Sequence, residues 1–266
     1  MNKYYLIKKN LRYLIILIFI IIINLFIDKR IKFIINFITV SIILIGLNLV
    51  INEKERFELK DDNSCPFNIY YINLDSRKDR NEHLLSEIKK LNFSNKNIIR
   101  VPAIYNKIGA IGCSQSHIKA LKMALEDDNN FATLILEDDF TFRSNLDDPA
   151  LIIKKILESN IEWNVILFAI NGSSSSTQYD FINKVDDSQT TSGYLIKKEY
   201  IPTLLSLWEE VNNKVKDKEV PLEHEEHCDI SWKKLQDNKW YVTNPVLGFQ
   251  YPSYSDIAKV PVAYNV

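Results

Sequence analysis

Four short apolar runs limit how this chain can fold: 67–74 (FNIYYINL), 97–101 (NIIRV), 131–136 (FATLIL) and 163–170 (WNVILFAI). The first is β-branched and aromatic and reads as a strand buried on both faces, 131–136 as another buried strand, and 97–101 and 163–170 as further strands. Between them lie segments of helical spacing. Residues 79–91 place Leu84, Leu85, Ile88 and Leu91 on one stripe, and 147–158 is helical as well. Gly109 and Gly112 read as loop punctuation, after which Ser114 or Ser116 caps a helix running to about Asp127. Strands alternating with helices imply an α/β fold with a largely parallel sheet, whose ligand crevice lies at the carboxyl ends of the strands. The small polar stretch 171–178 (NGSSSSTQ) reads as a loop, either a mobile lid or an exposed tip.

The amino-terminal part has a different character. Residues 33–51 carry no charge, and as a helix they rise roughly 28 Å, about one hydrocarbon thickness. A shorter apolar run, 13–27, precedes them, and a basic segment (DKRIK, 28–32) lies between. The expectation is a membrane anchor over 1–52, as one helix or a hairpin; a cleaved signal accounts for the first run only. One span leaves the basic segment inside and the globular part outside, whereas a hairpin returns the chain to its starting side, so the side stays open. Residues 53–62 carry eight charges in ten positions and form a solvated linker to a globular domain at 63–266. That domain has 23 basic and 28 acidic residues, a net charge of −5, which argues against a nucleic-acid partner. Three widely spaced cysteines, Cys65, Cys113 and Cys228, imply no disulfide framework.

Three constellations carry chemistry. Glu137-Asp138-Asp139 directly follows an apolar strand. Three adjacent carboxylates repel one another unless a cation neutralises them, and Mn²⁺ or Mg²⁺ shared with substrate phosphates is the natural partner; a solvated acidic turn is the plainer alternative. Asn73-Leu74-Asp75-Ser76-Arg77-Lys78-Asp79-Arg80 leaves the first strand with groups suited to a base, a ribose or a phosphate, or else starts a helix. Gly109-Ala110-Ile111-Gly112-Cys113-Ser114-Gln115-Ser116-His117 lets backbone amides approach an anion, with His117 either touching a ligand or serving the core.

In this order the motifs resemble glycosyltransferase family 25, which includes lipooligosaccharide-type sugar transferases and collagen galactosyltransferases. The matching segments are Ile72-Asn73-Leu74-Asp75 with Arg77, Asp79 and Arg80; Gly109 through Gly112-Cys113 to Ser116-His117; and Leu136-Glu137-Asp138-Asp139. Downstream, Thr191–Ile196, Pro221 with Asp229-Ile230, and Gln250 with Ser255-Asp256-Ile257 continue the likeness, which covers about residues 67–257. The resemblance implies a GT-A-type, Rossmann-like domain that takes a nucleotide-sugar, a UDP-sugar above all, with Mn²⁺. It implies metal ligation by Glu137 and Asp139, and nucleotide-sugar contacts from Asn73, Leu74, Arg77, Ser116, His117 and Asp138. It also implies inverting transfer to a glycan, lipid-linked or protein hydroxyl, with Asp229 as general base or acceptor contact. The stretch Glu223–Cys228 is more acidic than the family pattern, so Glu225 or Glu226 competes for the base, and His224, His227 and Cys228 suggest zinc ligands. Two other classes stay open: a membrane-tethered binding protein without catalysis, and a metal-dependent phosphohydrolase.

Overall fold

The computed structural model describes residues 64–127, 131–146, 148–237, 239–254 and 261–262. The expected anchor and linker, and Ser255-Asp256-Ile257, lie outside the described residues. Among the described residues no helix is long and apolar enough to cross a membrane.

The first expected strand is β1 (Asn68–Asn73), buried along its whole length. It is followed by α1 (Lys78–Lys89), β2 (Ile98–Pro102), α2 (Gly109–Glu126), β3 (Ala132–Glu137), β4 (Phe140–Phe142) and α3 (Pro149–Glu158). Next come β5 (Val165–Leu167), β6 (Asn171–Ser176), β7 (Ile182–Gln189), β8 (Gly193–Lys197) and α4 (Ile201–Val215). The short α5 (Cys228–Ser231), β9 (Trp240–Thr243), β10 (Gly248–Gln250), β11 (Ser253–Tyr254) and β12 (Pro261–Val262) complete the order.

Eight strands form one sheet in the order β2-β1-β3-β8-β5-β9-β7-β6. Alternation along the strands sends side chains to two cores. Ile69, Tyr71, Leu134, Leu136, Ile166 and Leu195 meet α1 and α3 on one face. Tyr70, Ile72, Ile135, Val165, Tyr194 and Ile196 meet α2 and α4 on the other. The second face is aromatic: Trp208, Trp232 and Trp240 are at most 1% exposed, and Trp208 stacks on Trp232 at 5.9 Å. Each such side chain contributes about 1.5–3 kcal/mol of burial.

The sheet is mixed rather than largely parallel. Three of its pairings are parallel (β1 with β2, β1 with β3, β5 with β9) and four are antiparallel. β8 enters between β3 and β5 antiparallel to both, and β7 joins β9 antiparallel as well. The polar stretch after β5 is also not a loop: Asn171–Ser176 is an edge strand paired with β7, bulged between Ser173 and Ser174. A bulge on an exposed edge discourages pairing with another chain.

At the amino-terminal half, β1 is flanked by β2 and β3, and the two helices that make the crossovers lie on opposite faces. The carboxyl ends of β1 and β3 thus border a switch point, the place where an open α/β sheet leaves a crevice.

Candidate functional site

The crevice is real. A cleft of about 140 Å³ is lined by Asn73 and Leu74 from the end of β1, Ile104, Tyr105 and Asn106 from beyond β2, Gly112, Cys113, Ser116 and His117 from α2, and Glu137-Asp138-Asp139 from the end of β3. Arg80 and Gln250 complete the wall. A larger cavity, about 490 Å³, lies between α4 and the segment around α5, lined by Lys214, His224, Glu226 and Lys234 among others. Of the residues singled out in the sequence it contains His224, Glu225, Glu226 and Ile230, whereas the three constellations gather in the smaller cleft.

One face of α1 positions the acidic turn. Arg80, His83 and Glu87 stand at i, i+3 and i+7, hence on one stripe. Arg80 donates to Asp138 Oδ1 at 2.9 Å and to Asp139 Oδ2 at 3.2 Å. His83 Nε2 lies 2.8 Å from Thr141 Oγ1, and buried Glu87 accepts the Phe142 amide at 2.8 Å. From the opposite side β10 pairs with β4, setting Gln250 opposite Phe140, and the Tyr251 amide donates to the Asp139 carbonyl at 2.7 Å. Gly193 and Gly248 press on the Phe140 ring so closely that an added Cβ would stand 2.6 and 2.3 Å from it.

The three carboxylates have different environments. Glu137 Oε1 accepts from Thr191 Oγ1 at 2.6 Å and stands 3.1 Å from His117 Nε2. Burial pushes its pKa up, but the hydrogen bond and charge of His117 together with Thr191 prevail, so it is held below the ordinary value. Asp138 is buried, with both oxygens used: Oδ2 accepts from Asn73 Nδ2 at 2.7 Å and Oδ1 from Arg80. Burial raises its pKa, against the pull of Arg80 and Asn73. Asp139 is pushed up to about 7, first by burial and then by the charge of Glu137. Its Oδ1 is buried without a hydrogen-bond partner among the described residues.

The nucleotide-side residues divide. Leu74 lines the cleft. Asn73 also lines it, but its amide is held inside the protein: Nδ2 donates to the Arg77 carbonyl at 2.9 Å as well as to Asp138, and Oδ1 accepts from Arg100 at 3.1 Å. Arg77 turns its guanidinium to Asp79, at 3.1 and 3.0 Å, and is not among the cleft-lining residues.

On the α2 side, the helix begins at Gly109 with Ile108 at the cap, so the two glycines lie in its first turn rather than in a loop. Neither Ser114 nor Ser116 caps it. Ser114 donates back to the Ala110 carbonyl at 3.0 Å, and Ser116 donates to the Gly112 carbonyl at 2.6 Å while accepting the Ile104 amide at 2.8 Å. Gly112 is needed because a Cβ there would stand 2.5 Å from the Ile104 carbonyl oxygen. His117 is consequently two turns into the helix, fully buried, with Nδ1 3.1 Å from Tyr194 Oη and its ring against Trp208.

Asp229, in α5, is not among the cleft-lining side chains. It accepts the Thr190 amide at 3.3 Å, and Thr190 has φ +87°, a conformation costly for a β-branched residue. Burial raises the Asp229 pKa. Glu225 is exposed and Glu226 pairs with Lys218, which lowers its pKa. Nor do His224, His227 and Cys228 gather as zinc ligands: among the described residues the one cluster of metal-ligating type is Cys113, His117 and Glu137.

The glycosyltransferase family 25 (LPS biosynthesis protein) model matches residues 107–220, which span α2, the acidic turn, Thr191 and α4. The match falls on the family that the sequence motifs resemble. No curated protein matches the chain. Among solved structures, a glycosyltransferase involved in glycosylation of the major capsid of PBCV-1 is 12% identical, with 67% of this chain and 82% of that one covered and a TM-score of 0.42. GlyE of Streptococcus pneumoniae TIGR4 is 8% identical, with 65% and 44% covered and a TM-score of 0.38. A Drosophila beta-1,4-galactosyltransferase 7 variant in complex with manganese, UDP-Gal and xylobiose is 10% identical, with 51% and 50% covered and a TM-score of 0.31. Among the side chains that build the cleft and its support, His83, Glu87 and Tyr105 escape motif reading, while Thr191 and Tyr194 stand in the Thr191–Ile196 segment without a role assigned. The first two carry a signal in their spacing from Arg80.

Proposed function

We propose that the domain transfers a sugar from a nucleotide-sugar, a UDP-sugar by family resemblance, to a hydroxyl acceptor, with a divalent cation at Asp139. The observation that carries this is the Asp139 carboxylate: short of one hydrogen bond, and raised towards neutrality first by its burial and then by the Glu137 charge beside it. Such a group gains most from a cation, and the cleft in front of it is the strand-end crevice where α/β folds take phosphate ligands. Mn²⁺ or Mg²⁺ fits an all-oxygen ligand there, with Asp138 next to it in the chain. When bound, the ion supplies charge that stabilises a departing diphosphate.

The chain's own residues prepare that site. Arg80 keeps Asp138 and Asp139 together before the donor arrives. Glu137, tied to His117 and Thr191, anchors the turn from behind and holds negative charge at the cleft floor. Tyr105 is 71% exposed at the cleft lip, a ring on which a nucleobase stacks. Asp229 is the base in this reading: its raised pKa runs in the direction a proton acceptor near neutrality requires, and its grip on Thr190 sets the chain leading to Thr191. The layered sheet with a switch-point crevice supports a GT-A-type arrangement. The apolar runs 13–27 and 33–51 support anchoring to a membrane.

The test is donor turnover by the full-length chain with Mn²⁺ and a panel of nucleotide-sugars, with and without glycan, lipid-linked and peptide acceptors. Sugar transfer with little nucleotide release in the absence of acceptor supports the proposal. Nucleotide release at full rate without acceptor indicates a hydrolase, and no turnover with any donor indicates a binding protein.

A further inference from the structure

The back of the cleft holds a donor set unlike the carboxylates at its front. Cys113 and His117 are four residues apart on α2 and so lie on the same face. Glu137 reaches them from the end of β3. One ligand atom from each of the three, a sulfur, a ring nitrogen and a carboxylate oxygen, lies within 4.8 Å of the others. His117 Nε2 and Glu137 Oε1 are 3.1 Å apart. Two such ligands on a tetrahedral ion, each about 2.0–2.1 Å from the metal, stand roughly 3.3 Å apart. The groups behind are also in place. Tyr194 Oη lies 3.1 Å from His117 Nδ1, the kind of outer partner that fixes which ring nitrogen faces a metal. Cys228 Sγ lies 3.9 Å from Cys113 Sγ, within reach of a weak hydrogen bond between the two sulfurs.

We infer that Cys113, His117 and Glu137 form a site for a thiophilic divalent cation of the zinc class, separate from the oxygen-lined position at Asp139. Sulfur and imidazole ligands favour Zn²⁺ and its analogues, whereas carboxylate and water favour Mn²⁺ and Mg²⁺, so the two positions sort cations by softness. All three ligands line the cleft, which leaves the fourth coordination position facing it. The proton balance is simple. The Cys113 thiol loses its proton to solvent as its sulfur binds the ion. The His117 proton moves from Nε2, which takes the ion, to Nδ1, which donates to Tyr194 Oη. One proton is therefore released per ion.

The experiment is a Co²⁺ titration of the chelator-stripped full-length chain, followed by absorption. The expected result is a near-ultraviolet thiolate-to-cobalt band with tetrahedral visible bands, saturating at one ion per chain, bleached by equimolar Zn²⁺ and unaffected by excess Mn²⁺. The band is lost in Cys113→Ser and kept in Cys65→Ser, while Cys228→Ala keeps it with affinity weakened about 10- to 100-fold. A second measurement needs no variant: Zn²⁺ protects Cys113 from alkylation, read by peptide mass spectrometry, and leaves the Cys65 rate unchanged. No thiolate band at stoichiometric Co²⁺, a band that survives Cys113→Ser, or a Cys113 alkylation rate indifferent to Zn²⁺ each overturns the inference.

Discussion

Asp139→Asn should stabilise the metal-free protein at alkaline pH and leave it nearly unchanged in acid. In the folded chain the carboxyl keeps its proton to about pH 7, against an ordinary value of 3.8. The folded state therefore binds the extra proton between these values, and this group's contribution to stability is fully present below pH 3.8 and lost as pH rises through 7. The gap is roughly three pH units, or about 4 kcal/mol at most of charge burial and repulsion. Asparagine keeps the shape and removes the charge. For a domain of this size, 4 kcal/mol corresponds to roughly 10 °C in melting temperature. The assay is thermal melting of both proteins in chelator from pH 4 to pH 8. The expected gap is widest at pH 8 and closes towards pH 4. A variant that melts below the wild type at pH 8, or a gap independent of pH, refutes the reasoning.

Three further outcomes follow from the geometry. Gly112→Ala drives a Cβ to 2.5 Å from the Ile104 carbonyl, so calorimetry should show a loss of about 1–3 kcal/mol, and nucleotide affinity should fall as the Ile104–Asn106 wall moves. Trp232→Ala removes a fully buried ring packed on Trp208 and Trp240 and should cost about 3–5 kcal/mol in denaturant unfolding. Asp229→Asn should lower sugar transfer by about 10²-fold or more while sparing donor binding; unchanged kcat removes Asp229 from the chemistry.

The α/β layering was legible because the apolar runs at 67–74, 131–136 and 163–170 are long and strong enough to mark strands without tertiary help. That legibility carried over to the crevice, since Glu137-Asp138-Asp139 and Asn73-Leu74 both follow such runs and both line the cleft. Strand direction was not legible. Periodicity is the same in both directions, and the antiparallel insertion of β8 shows only in its pairing with β3 and β5. Nor was β6: Asn171–Ser176 has no apolar alternation, and its hydrogen bonds come from pairing with β7. The start of α2 is not legible because glycine usually ends a helix, whereas here Gly112 permits contact between the first turn and the chain beyond β2. The approach of Cys228 to Cys113, across 115 residues, belongs to tertiary structure alone.

The most direct test of the central claim is thermal melting of the full-length chain with Mn²⁺, with UDP, and with both together, in the wild type and in Asp139→Asn. The account predicts a rise in melting temperature that requires both ligands and disappears in the variant, since the bound state alone is stabilised. A well-folded wild type that shows no rise with any nucleotide, or a rise that is equal in Asp139→Asn, contradicts it.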